Sequence, residues 1–200
     1  MVIHWFGRNP DMEHYRFTPI PLGVASRQTL ESRYKEQYSF FLASGPDIYW
    51  GKKEYNVLSN FRIETNSVYR NRIHKIFKKK PFTYRPSTID TPLGQDQLSY
   101  LQDLKESRFV LSPKGNGLDF YRHWEALYLG CIPILTTSLL DGFFKDLPVL
   151  IINDWKEVTE DLLDKTYDEF SKREFNYEKL DFKYWKSLIL SAQEEYKATH

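Results

Sequence analysis

The stretch Ser112–Ile134, SPKGNGLDFYRHWEALYLGCIPI, concentrates residues that could act together on a ligand. Gly115 and Gly117 permit positive φ and let backbone N–H groups crowd into a short bend. A helix is expected to follow as far as Leu129, capped by Asn116 or Asp119 and ended by Gly130. A parallel strand that runs through such a bend into a helix receives anions at the sheet's carboxyl end. Arg122, in the helix's first turn, opposes the dipole, so a ligand or an acidic partner explains it better than local stability does. Glu125 lies three residues on, on the same face. A guanidinium forks onto phosphate oxygens and a carboxylate accepts from vicinal ribose hydroxyls, so the pair could grip both halves of a nucleotide diphosphate. The competing account is an Arg–Glu salt bridge on a solvated face, worth about 0.2–0.5 kcal/mol.

The rest of the chain must supply a scaffold for that bend. With 200 residues, 41% hydrophobic and 16% aromatic, it can bury a core as one domain or two small ones. Its 28 Lys+Arg against 27 Asp+Glu give no global basic field, so any bound anion must be held locally. The one cysteine, Cys131, excludes an internal disulfide and a multi-cysteine zinc site, and the five histidines show no metal-ligand spacing. Neither a metal nor a resident cofactor is expected. No apolar run reaches the roughly 18–20 residues that span a bilayer, and the start MVIHWFGRNP lacks a leader pattern, so the chain as given reads as cytoplasmic. The absence of an N-x-[ST] acceptor agrees.

Short apolar runs alternate with helical spacings. VIHWF and RFTPIPLGVA read as strands, with Pro19 and Pro21 suited to a strand end or edge, and Leu30, Tyr34, Tyr38 and Phe41 mark a helix over Ser26–Gly45. YNVLSNF is a strand, and Val68, Ile73 and Phe77 make the apolar stripe of a basic helix. PFTYRP follows as a possible strand, TPLG as a turn, and Leu98, Leu101 and Leu104 share a helical face. Then come strand FVLSP, the helix of the bend, strand IPILTT, a short LLDGFFKDLP element and strand VLII. Two helices close the chain, the second with a stripe of Leu180, Tyr184, Trp185, Leu188 and Ala192. Unbroken apolar strands linked by helices predict an α/β fold with a mainly parallel sheet.

The string SRFVLSPKGNGLDFYRHWEALYLGCIPIL, followed by LPVLIINDWKEVT, resembles the C-terminal domain of the exostosin-like glycosyltransferases, family 47 and its relatives, including ribitol xylosyltransferase-like and large-DNA-virus versions. HWFGRN and FTPIPLGVA look like the end of that family's N-terminal domain, and FKYWKSLIL like its closing helix. The resemblance implies a GT-B-like architecture of two facing Rossmann-like domains, the C-terminal one binding the nucleotide-sugar donor and the N-terminal one a glycan or glycoprotein acceptor, without an obligatory metal. The implied organisation is a partial N-terminal domain over residues 1–53, a nucleotide-sugar-binding domain over 54–175, and a C-terminal helix over 176–200 packing back toward the N-terminal part. Relatives carry further elements before HWFGRN, so this chain is expected to be N-terminally short, with Golgi-type membrane attachment conceivable only through a missing N-terminal segment.

Carried over by position, Arg122 would neutralise the diphosphate, Glu125 would hold the ribose, and Ser112, Gly115, Asn116 and Gly117 would line the phosphate bend. Arg62, in NFRIETN, would face the same cleft and meet phosphate, or else be a surface cation. Thr136 would hydrogen-bond the donor sugar or merely cap its strand. Inverting transfer needs a group to accept the acceptor's proton, and Asp11 and Glu13 are the candidates, against solvated loop charges. His123 lies about 100° round the helix from Arg122 and is expected to pack rather than react.

Two rival functions remain. HKIFKKKPFTYR interleaves lysines with Phe77, Phe82 and Tyr84 in the manner of a single-strand nucleic-acid surface, but lysines at a helix C-terminus are already explained by the dipole, so no nucleic acid is expected. A module that binds a nucleotide sugar without transferring it is the second.

Overall fold

A computed structural model describes residues 4–24, 49–87 and 97–199. The helix expected over Ser26–Gly45 and the TPLG turn lie outside those residues. Strands β1 (Trp5–Gly7) and β2 (Phe17–Pro19) pair in parallel, Trp5 opposite Phe17 and Gly7 opposite Pro19. The main sheet starts at β3 (Tyr55–Leu58) and continues through helix α1 (Ser67–Phe77), β4 (Thr83–Tyr84), α2 (Gln97–Glu106) and β5 (Ser107–Leu111). It is completed by α3 (Tyr121–Tyr128), β6 (Ile132–Thr136), the short α4 (Asp141–Phe144) and β7 (Leu150–Ile152), with α5 (Glu160–Ser171) and α6 (Phe182–Thr199) at the end. Strands β3 to β7 form one five-stranded, wholly parallel sheet in the order β4-β3-β5-β6-β7. The fold is α/β and Rossmann-like in kind.

Both sheet faces are covered, which is why its strands read as unbroken apolar runs. Val57, Phe109, Leu111, Ile132, Ile134 and Ile152 pack with Ile73 and Phe77 of α1 and Leu163 of α5. Leu58 and Val110 turn the other way, onto Leu101 and Leu104 of α2 and Ala126 and Leu129 of α3. Each such large side chain stabilises the fold by about 1.5–3 kcal/mol through burial. Pro133 sits inside the sheet without disrupting it. The Ile134 carbonyl accepts from Ser112 N on the β5 side, so Pro133 faces β7, whose ladder starts only at Leu150, opposite Ile134.

The α1 stripe differs from expectation. Val68 is 87% exposed, and Arg70 instead joins Ile73 and Phe77 on the buried face, at 6% exposure. The reason is spacing: Arg70 stands three residues before Ile73 and seven before Phe77, whereas Val68 lies off that line.

The sheet order positions the bend. From β3 the chain steps to β4 on one side, then crosses to β5 on the other, so the direction of winding reverses between β3 and β5. In open α/β sheets that reversal opens a crevice beyond the strands' carboxyl ends. The segments leaving β3 and β5 there are 59–62 and 112–119. At the far side, Trp185 of α6 packs on Phe143 in a cluster that also holds Trp124 and Leu127, with Ile20 and Val24 packed against it. Among the described residues no helix is long and apolar enough to cross a membrane.

Candidate functional site

Arg70 reaches from α1 beneath the bend and uses its guanidinium as a brace. Nη2 donates to the Pro113 carbonyl at 2.8 Å, Nε to that of Lys114 at 3.2 Å, and Nη1 to the Arg62 carbonyl at 2.8 Å and Thr65 Oγ1 at 2.5 Å. The rings of Phe61 and Phe120 lie 5.8 and 5.9 Å from its central carbon. Burial, and then the nearby Arg122, pull its pKa down to about 10, which leaves it cationic at neutral pH. Among the described residues no carboxylate pairs with it. A Cβ on Gly115 would stand 3.0 Å from Arg70 Nη2, so a side chain there would press on the brace. Sequence reasoning missed Arg70; its place in the buried stripe of α1 was the available signal.

Arg122 is differently placed. Its Nη2 donates to the Asn60 carbonyl at 3.3 Å, while its buried Nε has no partner among the described residues. Ser112 Oγ and Asn60 Oδ1 are likewise buried and unpartnered, and both residues are less than 5% exposed. Buried polar atoms are nearly always hydrogen-bonded, and these three stand on the segments leaving β3 and β5 and on the first turn of α3. The N–H groups of Lys114, Gly115, Asn116 and Gly117 also donate no hydrogen bond among the described residues.

Glu125 is 4% exposed on a helix whose residues His123 to Leu127 are all buried, so a salt bridge on a solvated face is not its role. It accepts from the Tyr100 hydroxyl at 2.7 Å. Burial, and next the Glu125 carboxylate, raise the Tyr100 pKa well above its ordinary value, with Arg122 pulling the other way. Arg122, Tyr100 and Glu125 thus form one connected polar group between α2 and α3.

The expected helix cap is not made. The N-cap is Phe120, without a side-chain hydrogen bond, because both candidates are engaged elsewhere or exposed. Asp119 Oδ1 accepts from Trp124 Nε1 at 2.8 Å and its Oδ2 from Leu22 N at 2.7 Å, while Asn116 is exposed. The helix ends as expected, with Gly130 at φ +66° and the Cys131 N–H bonded back to the Ala126 carbonyl. His123 is 1% exposed, 4.0 Å from the Phe120 ring and 5.5 Å from that of Phe144. Its Nδ1 faces Asp119 Oδ1 across a long 3.5 Å, a weak contact that favours the protonated ring. Burial lowers its pKa.

The remaining candidates are less tightly held. Arg62 is exposed, though its carbonyl is part of the Arg70 brace. Thr136 Oγ1 lies 3.3 Å from the Tyr69 hydroxyl, which also accepts from Trp155 Nε1. Asp11 and Glu13 are exposed in the β1–β2 connection, and among the described residues neither makes a hydrogen bond or ion pair with the bend. In the lysine run, Phe77 is core, Tyr84 stacks on Tyr55 at 3.8 Å and Lys80 Nζ is tied to the Val158 carbonyl, so its rings do not form an open stacking row. An open, shallow groove over the outer side of α1, lined by Val68, Asn71, Arg72, Lys75, Ile76 and Lys156, contains none of the bend's residues. Apart from Ile76, which packs against the core, its lining is exposed.

Among the described residues no group of three or more His, Cys, Asp or Glu is placed to hold a metal ion. No protein-family model matches the chain, and no curated protein matches it.

Proposed function

We propose that the bend at Ser112–Asp119 binds the diphosphate of a nucleotide sugar and that the protein is a glycosyltransferase, passing the sugar to a glycan or glycoprotein acceptor with inversion and without a metal. The observation that carries this is the crevice between β3 and β5, where the donors Arg122 Nε and Ser112 Oγ are buried without partners beside a second, unneutralised guanidinium. Arg122 lies near enough to Arg70 to help lower its pKa, and an anion beside the two guanidiniums would stabilise both. A leaving diphosphate develops negative charge as the glycosidic bond breaks, and preorganised cations and amides stabilise that charge. Glu125, linked through Tyr100 to Arg122, is the acceptor for ribose hydroxyls in this scheme. UDP is preferred as the nucleotide, and the GT-B-like pairing of donor and acceptor domains belongs to the same proposal; both rest on the sequence resemblance. Asp11 or Glu13 is the proposed proton acceptor.

The exposure of both carboxylates, neither of which is hydrogen-bonded to the bend, favours one second reading: a module that binds nucleotide sugar without transferring it. Titration with UDP, GDP and single-stranded DNA, followed by an assay for UDP-sugar hydrolysis, separates these. Saturable UDP binding with turnover supports transfer, UDP binding without turnover supports the module, and salt-sensitive DNA binding alone removes both.

A further inference from the structure

One intramolecular contact on the bend is explained by neither brace nor ligand. Asn9, in the left-handed region at φ 49°, sends its carboxamide across from the β1–β2 connection. Its Oδ1 accepts from Leu118 N at 2.7 Å and from Asp119 N at 2.6 Å, and its Nδ2 donates to the Asp119 carbonyl at 3.2 Å. A Cβ on Gly117 would lie 2.8 Å from that Oδ1, closer than side chains approach. A side chain at 117 would have to push the Asn9 carboxamide aside. A second tie runs in parallel, since the Asp119 carboxylate accepts from Leu22 N and from the Trp124 indole of α3. Segment 4–24 thus grips the bend at its start and near its end, and through Trp124 it reaches the helix that carries Arg122.

We infer that Asn9 is a positioning residue for the diphosphate site, lodged in the gap left by Gly117 so that the N–H groups of 114–117 stay turned outward toward a phosphate. The carboxamide takes the two amides, Leu118 and Asp119, that would otherwise compete for the ligand's shape of the bend, and it fixes the curvature of those before them. Asn suits the place because it tolerates positive φ and offers acceptor and donor on one planar group. The inference rests on the proposed function, and it adds that the N-terminal segment is an integral part of the donor site: ligand binding and docking of residues 4–24 strengthen one another.

The test uses the full chain with UDP and uridine as probes. Affinities are measured by calorimetry for the natural protein, Asn9→Ala, Gly117→Ala and the double variant, with hydrogen exchange of the Leu118 and Asp119 amides followed in each. Each single variant is expected to weaken UDP about tenfold and leave uridine within about twofold, and the double variant to be no weaker than the worse single one. Exchange at Leu118 and Asp119 should accelerate in all three. A loss of folding alone would lower UDP and uridine together, so their ratio isolates positioning; Asn9→Ser, which keeps a shorter acceptor, serves if Asn9→Ala melts. Unchanged UDP affinity in Asn9→Ala, or strictly additive losses in the double variant, would overturn the inference. If the natural protein binds neither UDP nor GDP, the proposed function fails and the positioning role with it, while unchanged amide exchange in Asn9→Ala would show that even the clamp is absent.

Discussion

Arg70 and Arg122 stand on either side of one bend and have opposite relations to it. Arg70 is 6% exposed and places donors on three backbone carbonyls and a hydroxyl, so four of its five N–H groups are engaged inside the protein. Arg122 makes one long bond to a carbonyl, interacts with the Tyr100 hydroxyl and keeps a buried Nε unpartnered. The same side chain acts as scaffold in one place and as reserve in the other. What separates them is hydrogen-bond satisfaction rather than charge or burial: a cation whose donors are nearly all taken shapes a site, and one with donors left over is available to a ligand.

That contrast can be broken at either end. The largest effect is expected from Arg70→Ala, which strands three carbonyls and should cost about 3–4 kcal/mol in urea unfolding, with Arg70→Lys recovering little because one ammonium cannot span the fork. A stable Arg70→Ala protein with lost UDP affinity would reverse the two roles. Arg122→Ala should do the opposite, weakening UDP by about 1.5–3 kcal/mol in calorimetry while the unfolding midpoint barely moves. Glu125→Ala should weaken nucleotide binding by about 1–3 kcal/mol and, unlike Arg122→Ala, also lower stability, because the Tyr100 hydroxyl then loses its buried acceptor. Unaltered UDP affinity in a folded Glu125→Ala protein removes that carboxylate from the site.

The smallest effect concerns His123. Its pKa is lowered in the folded state, so the folded protein binds fewer protons than the unfolded chain just below the ordinary value of 6.5. Stability is then complete above pH 6.5 and falls as the pH drops through and below it, by at most about 1.4 kcal/mol per pH unit for one proton. His123→Gln should flatten the dependence of the urea midpoint between pH 7 and 5. An identical slope in both proteins would mean that the His123 pKa is the same in the folded and the unfolded chain.

The parallel sheet was legible because its strands are doubly buried and spell themselves out as apolar runs such as FVL and IPIL, and the Gly130 helix stop was legible because a positive φ demands that residue. The bend was legible as a locus, but the partition of labour within it was not. Gly115 and Gly117 look alike in a Gly-x-Gly pattern, yet one makes room for Arg70 and the other for Asn9, residues 45 and 108 positions away in the chain. Asp119 reads as a helix cap by local rules and is instead claimed by Leu22 and Trp124, since a buried carboxylate goes to whichever N–H groups tertiary packing brings to it. Arg70 was hidden by its type: a cation in an apolar stripe is discounted by any hydrophobic pattern.

Cys131 lies fully buried in the turn between α3 and β6, its thiol pushed up to about 12 by the surrounding core. Being the chain's sole cysteine, it is inert toward alkylating reagents until that turn comes apart. Modification of one sulfur per molecule therefore clocks the opening of the very layer on which Arg122 and Glu125 are mounted, and any ligand that grips those residues should slow the clock.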